Sequence, residues 1–117
     1  MRNVCTLLVL GALVLAAPPR AFAIDAAKWM TLAEDMQRGY VTAVVDTWAN
    51  MHGMIKGPER SHAETIFAEV VECINRRKFS YDDIYAAALD YTKRREDRRQ
   101  YNMAAVTWIA VSEMCKK

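Results

Sequence analysis

The hydrophobic pattern of this chain changes near residue 24, from one continuous apolar run to apolar residues spaced along the chain. Residues 6–17 form an apolar run that two consecutive prolines bring to an end. A run of this length, followed by the small-x-small tripeptide Ala21-Phe22-Ala23, is typical of a secretory signal peptide. A transmembrane anchor would need about 20 apolar residues without such an interruption. The pattern therefore predicts a signal peptide over residues 1–23, with cleavage after Ala23.

From residue 24 onward, apolar residues recur at steps of three and four, which places them on one face of a helix. The first predicted helix covers residues 26–51, with Asp25 as its N-cap. Its apolar stripe consists of Trp29, Leu32, Met36, Tyr40, Val44, Trp48 and Met51. Residues 52–60 hold two glycines and a proline, and this composition predicts a loop.

Three more helices follow in the pattern. Ser61 and Ser80 each stand three residues before an acidic residue, which is the spacing of a capping box at a helix N-terminus. A charged turn over residues 93–99 precedes the last helix, for which Asp97 is the predicted cap. We therefore expect an all-α fold, a compact bundle of about four helices with short loops.

Removal of the predicted signal peptide changes the charge balance. The chain has 16 lysines and arginines against 14 acidic residues, but Arg2 and Arg20 lie in residues 1–23, so residues 24–117 carry a formal net charge of zero. A neutral domain lacks the basic footprint of a nucleic-acid-binding protein. Residues 24–117 contain no second apolar run that could span a membrane, and their length predicts a single helical domain.

The cysteines give a second consequence of the same cleavage. Without Cys5, the pair Cys73 and Cys115 remains, and an even pair in an exported protein predicts a disulfide. Two free thiols or a metal site are the alternatives, but there is no further cysteine and no Cys-x-x-Cys motif to support them. The disulfide would link the second predicted helix to the end of the last one. Together with the predicted signal peptide, it makes the periplasm the expected location of the protein.

Side chains suited to catalysis are scarce. The two histidines, His52 and His62, are ten residues apart, and no nucleophile or zinc-binding motif accompanies them. We therefore expect no enzymatic activity and no cofactor. The stretch Met51-His52-Gly53-Met54 has thioether and imidazole ligands that suit Cu(I), but methionine is also a common filler of apolar cores. We favour the packing role and predict no metal site.

Several stretches of the chain resemble one known family. Residues 39–46 (GYVTAVVD) look like that family's Gly-Tyr core helix. Cys73 closes a helix and is followed by the Ser-capped helix that starts at Phe79-Ser80-Tyr81-Asp82-Asp83-Ile84, by Tyr91-Thr92-Lys93 and a charged turn, and by an alanine-rich helix from Ala104 to a terminal cysteine. Together these features resemble the Rap/Tai family of type VI secretion immunity proteins.

The resemblance implies a function in binding. Members of that family are small periplasmic helical proteins that block peptidoglycan amidase effectors, so the implied partner is a secreted peptidoglycan amidase whose cleft is occluded. A homodimer is left open. The features that match the family are helix boundaries and cysteines, so they identify no contact residue. Candidate contact residues are therefore chosen from the two exposed connectors: His52, Met54, Lys56, Glu59, Arg60, Arg94, Arg95 and Arg98.

Two other function classes stay open at this point. Acid-stress chaperones of the HdeA/HdeB type are also small, periplasmic and helical, with one disulfide, and they expose apolar surface when their carboxylates become protonated. Their first cysteine lies nearer the mature N-terminus than Cys73 does. The other class is a structural subunit of an envelope complex.

Overall fold

The computed structural model describes residues 24–55 and 59–117. The predicted signal peptide with its cleavage site lies outside the described residues, and so does Lys56. The described residues form helices and no β-strand, which confirms the all-α prediction. The helices are α1 (Ala26–Met30), α2 (Glu34–Met54), α3 (His62–Arg77), α4 (Tyr81–Arg94) and α5 (Met103–Lys116), with one turn of 3-10 helix at Glu96–Arg98.

The first predicted helix, over residues 26–51, is wrong, because the chain leaves the helix after Met30 and re-enters it at Glu34. The side-chain amide of Gln37 explains the break. Its Nε2 atom donates to the carbonyl oxygens of Trp29 and Met30, both at 3.2 Å. The Trp29 carbonyl also accepts the amide of Leu32, so the side chain of Gln37 supplements the backbone pairing at the end of α1. The other end was also misplaced, since α2 continues to Met54 and the predicted loop begins later than residue 52.

Three predicted helix caps are confirmed. The Asp25 carboxylate accepts a hydrogen bond from the amide of Lys28 at 2.7 Å. Ser61 and Ser80 both form complete capping boxes, in which the hydroxyl and the acidic side chain three residues later each accept a backbone N–H. The prediction that Asp97 caps the last helix is wrong. Asn102 does so, with its Oδ1 atom 2.8 Å from the amide of Ala104.

The core lies where α4 and α5 pack on each other and on α2 and α3. Its largest fully buried side chains come from four of the helices: Trp29, Val41, Ile84, Tyr91, Met103, Val106 and Val111. The predicted disulfide is confirmed: Cys73 on α3 is bonded to Cys115 on α5, with Cα atoms 6.2 Å apart. None of the helices within residues 24–55 and 59–117 has both the length and the hydropathy needed to cross a bilayer.

Candidate protein-binding surface

Helix α2 is apolar on two adjacent sides. Its buried side consists of Gln37, Val41, Val45 and Trp48. The predicted stripe runs one position before this set, and only Trp48 belongs to both. Met51, at the end of the predicted stripe, is 49% exposed. The second apolar side of α2, with Tyr40 and Val44, packs only partly against the core, and the rest of it lies at the surface.

That second side continues onto α3 and α5 as one uncharged surface. Two shallow grooves of about 380 and 350 Å³ lie next to each other and share Trp48 and Ala104. We call this surface the aromatic face, and its lining residues are Tyr40, Ala43, Val44, Thr47, Trp48, Met51, Phe67, Asn102, Ala104, Ala105 and Trp108. None of them is charged, although 26% of the residues in the chain are.

Three aromatic rings from three helices hold this face together. Trp108 on α5 stands edge-on to Trp48 on α2, with ring centroids 5.2 Å apart. Trp108 also stacks on the ring of Phe67 on α3, with centroids 5.7 Å apart and an interplanar angle of 4°. Both geometries are favourable for aromatic pairs. Because the rings already pack on one another within this chain, less entropy is lost when a partner covers them.

The edge of the face near the start of α2 is also partly withdrawn from water. Partial burial raises the pKa of the Tyr40 phenol, so this hydroxyl stays neutral at physiological pH. A surface of aromatic rings, an exposed methionine and small residues, without charge, has the composition of the core of a protein–protein interface.

The first group of predicted contact residues lies at the end of α2 and just before α3. The imidazole Nε2 of His52 is 3.3 Å from Glu72 Oε1 on α3, and a guanidinium nitrogen of Arg60 is 3.8 Å from the same oxygen. Met54 is 78% exposed, and Glu59 is exposed as well. The structure thus brings His52 and Arg60 together on one carboxylate.

The idea of a metal-binding loop at residues 51–54 is wrong in its geometry, because these residues are the last turn of α2. Gly53 has no side chain, and the helical turn does not let the backbone wrap around one ion as a loop would. In residues 24–55 and 59–117, no group of three or more His, Cys, Asp or Glu side chains is arranged to hold a metal.

The second group, Arg94, Arg95 and Arg98, is paired with carboxylates of the same chain. Arg94 contacts Asp90 at 2.9 Å and Glu113 at 2.6 Å. Arg95 and Arg98 both contact Asp97, at 2.9 and 3.3 Å. The hydrogen bond from Arg95 lowers the pKa of Asp97 to about 2. These pairs reduce the positive potential that the sequence of this turn suggests. Between described residues, no ion pair joins Arg94, Arg95 or Arg98 to the first group of predicted contact residues.

The residues of the aromatic face were not among the predicted contacts. A signal for them was present in the sequence, because Tyr40-Val41 and Val44-Val45 put two apolar residues side by side on α2. One buried helical face uses only one residue of each pair. The other residue is then only partly covered by the core and leaves apolar surface exposed.

Comparison of the chain with protein-family models, with curated proteins and with solved structures finds no match in any of the three.

Proposed function

We propose that this protein works by binding another protein, and that the aromatic face is the surface it uses. The observation that carries the proposal is the absence of charge from the whole face. Surfaces that contact only water usually carry charged side chains and few grouped aromatic rings. The centre of a protein–protein interface is typically rich in aromatic residues and poor in charge, as this face is.

The compartment we propose is the periplasm. The Cys73–Cys115 disulfide is compatible with an exported protein, because such bonds persist in oxidising compartments and are rare in the cytosol. The apolar run and the small-x-small tripeptide before residue 24 also support export.

The partner we propose is a peptidoglycan amidase delivered into that compartment, the class implied by the resemblance to type VI immunity proteins. Inhibition would then require no chemistry from this chain. A fixed aromatic face that covers the cleft and dissociates slowly would be enough.

The experiment is a titration of amidase activity with the protein purified from the periplasm of producing cells. Peptidoglycan hydrolysis by each type VI amidase of a panel is measured against increasing inhibitor. We expect one amidase to be inhibited stoichiometrically at one-to-one binding. If every amidase keeps full activity and none binds in calorimetry, the immunity function is refuted, whereas binding to a different envelope protein through the same face would retain the more general proposal.

A further inference from the structure

A pit opens on the opposite side of Trp48 from the aromatic face. It lies between α2, α3 and the first turn of α4 and has a volume of about 320 Å³. The aliphatic part of its lining is the buried set Val45, Val71, Ile74 and Ile84. This volume is at the lower end of the range for small-molecule sites, which are typically apolar with a few placed polar groups.

Polar side chains surround the mouth of the pit. Asp46, Asn75, Ser80 and Tyr81 are all exposed members of its lining. The phenol of Tyr81 donates a hydrogen bond to Oδ1 of Asp46, and so connects the first residue of α4 to α2 across the mouth. That hydrogen bond raises the pKa of Tyr81, so the phenol remains a neutral donor and leaves the negative charge of Asp46 uncompensated.

Asp46 shares the lack of an arginine partner with Asp25, Asp35 and Asp83, but among the described aspartates it alone lines the pit. Asp82, Asp90 and Asp97 each contact an arginine. Among the described residues, no ion pair includes Asp46. A carboxylate at the mouth of an apolar pit, with a neutral phenol as its partner, is complementary to a ligand that carries a positive charge on an apolar body.

We propose that this pit binds a small organic cation, a primary ammonium group attached to an aromatic or aliphatic body. The body enters the pit and packs against Ala49 and Phe79, the apolar lining residues that are not buried, above Val45 and Val71. The ammonium group lies at the mouth, where it donates to the Asp46 carboxylate, and Tyr81 keeps that carboxylate in place. The site is separate from the protein-binding function, because it lies on the other side of Trp48.

The test uses the protein purified from the periplasm, labelled with ¹⁵N and titrated with 2-phenylethylamine. Amide chemical shifts and tryptophan fluorescence report the binding, and 2-phenylethanol serves as the uncharged ligand of matching size. We expect saturable amine binding with a dissociation constant of about 1 mM or below, with shifts centred on Asp46, Ser80 and Tyr81. The alcohol should bind about fivefold to tenfold more weakly, because it lacks the charge-assisted hydrogen bond.

Two variants separate the charge from the shape. Asp46→Asn keeps the shape of the mouth and should reduce amine affinity to that of the alcohol, whereas Asp35→Asn, on the same helix but outside the pit, should leave it unchanged. Ala49→Leu narrows the pit from its exposed side and should weaken both ligands, with Ala86→Leu on α4 as its control. Circular dichroism establishes that each variant is folded.

The proposal is overturned if the alcohol binds as tightly as the amine, or if Asp46→Asn preserves the difference between them. It is also overturned if the amine shows no saturable binding up to about 10 mM, or if Ala49→Leu has no effect on a folded protein.

Discussion

The indole rings of Trp48 and Trp108 meet edge to face, with centroids 5.2 Å apart and planes at 87°. Trp48 is on α2 and Trp108 is on α5, and both helices contribute side chains to the aromatic face and to the core. Trp48 also lines the separate pit on its other side. One side chain thus lies between the proposed protein-binding surface and the proposed ligand site.

The buried side chain of Gln37 joins three elements, and we expect it to be important for stability. Its amide nitrogen pairs the end of α1, and its Oε1 accepts a hydrogen bond from the Tyr85 hydroxyl at 3.0 Å. Gln37→Leu removes the hydrogen-bond partner of the buried Tyr85 hydroxyl and of the Met30 carbonyl, and should lower the free energy of unfolding by about 2–4 kcal/mol. Urea denaturation measures the change, and Gln100→Leu, at an exposed position, is the control with an expected change below about 0.5 kcal/mol.

Gln37 also explains which parts of the fold can be predicted from sequence. Serine caps and the cysteine pair depend on residues close in sequence or on a simple count, and both were predicted. The break at residues 31–33 depends on a side chain that pairs α1 with Tyr85, 48 residues away. Glutamine counts as a polar residue in a hydrophobic pattern, so the pattern does not place Gln37 on the buried side of α2. The predicted stripe therefore lies one residue before the observed buried side.

The aromatic face was missed for a related reason. Periodicity marks an apolar residue as suited to burial and does not say whether the core has room for it. Val41 and Tyr40 both fit an apolar stripe, but Val41 is fully buried and Tyr40 is only partly covered. The distinction depends on how α3, α4 and α5 pack against α2.

The disulfide should supply a large part of the stability of the domain. It closes a loop of 42 residues, for which the loss of chain entropy in the unfolded state corresponds to roughly 4 kcal/mol. We expect the double variant Cys73→Ala with Cys115→Ala to lose about 3–4 kcal/mol in urea denaturation. Reduction of the native protein should give a similar loss, and an unchanged midpoint after complete reduction would contradict the prediction.

Asp97 should make the protein less stable in acid. Its pKa is lowered to about 2 in the folded state by the hydrogen bond from Arg95. A group with a lowered folded pKa stabilises the protein above its unfolded pKa, and this contribution is lost as the pH falls from about 4 to about 2. The variant Asp97→Asn should therefore show a shallower dependence of unfolding free energy on pH in this window. Gln100→Leu, which removes no titrating group, should retain the wild-type slope.

The core itself should not open in acid, which separates this protein from an acid-stress chaperone. The carboxylates of the ion pairs are 38–84% exposed, and exposed pairs contribute little to stability. We expect near-ultraviolet circular dichroism at pH 3 to show intact aromatic packing, and a client protein to aggregate as fast with this protein as without it. Loss of that packing together with protection of the client would favour the chaperone class.

The most direct test of the protein-binding surface compares two methionines on the same helix. Met51 belongs to the aromatic face, whereas Met54 is outside it, in the group of contact residues predicted from sequence. The measurement is the dissociation constant of the complex with the inhibited amidase for Met51→Glu and for Met54→Glu. We predict that Met51→Glu weakens binding at least about 50-fold, because it buries an unpaired charge in the interface, while Met54→Glu stays within about threefold of the native protein. Full affinity in Met51→Glu, with loss of binding in Met54→Glu, would contradict the aromatic face and support the connector at the end of α2.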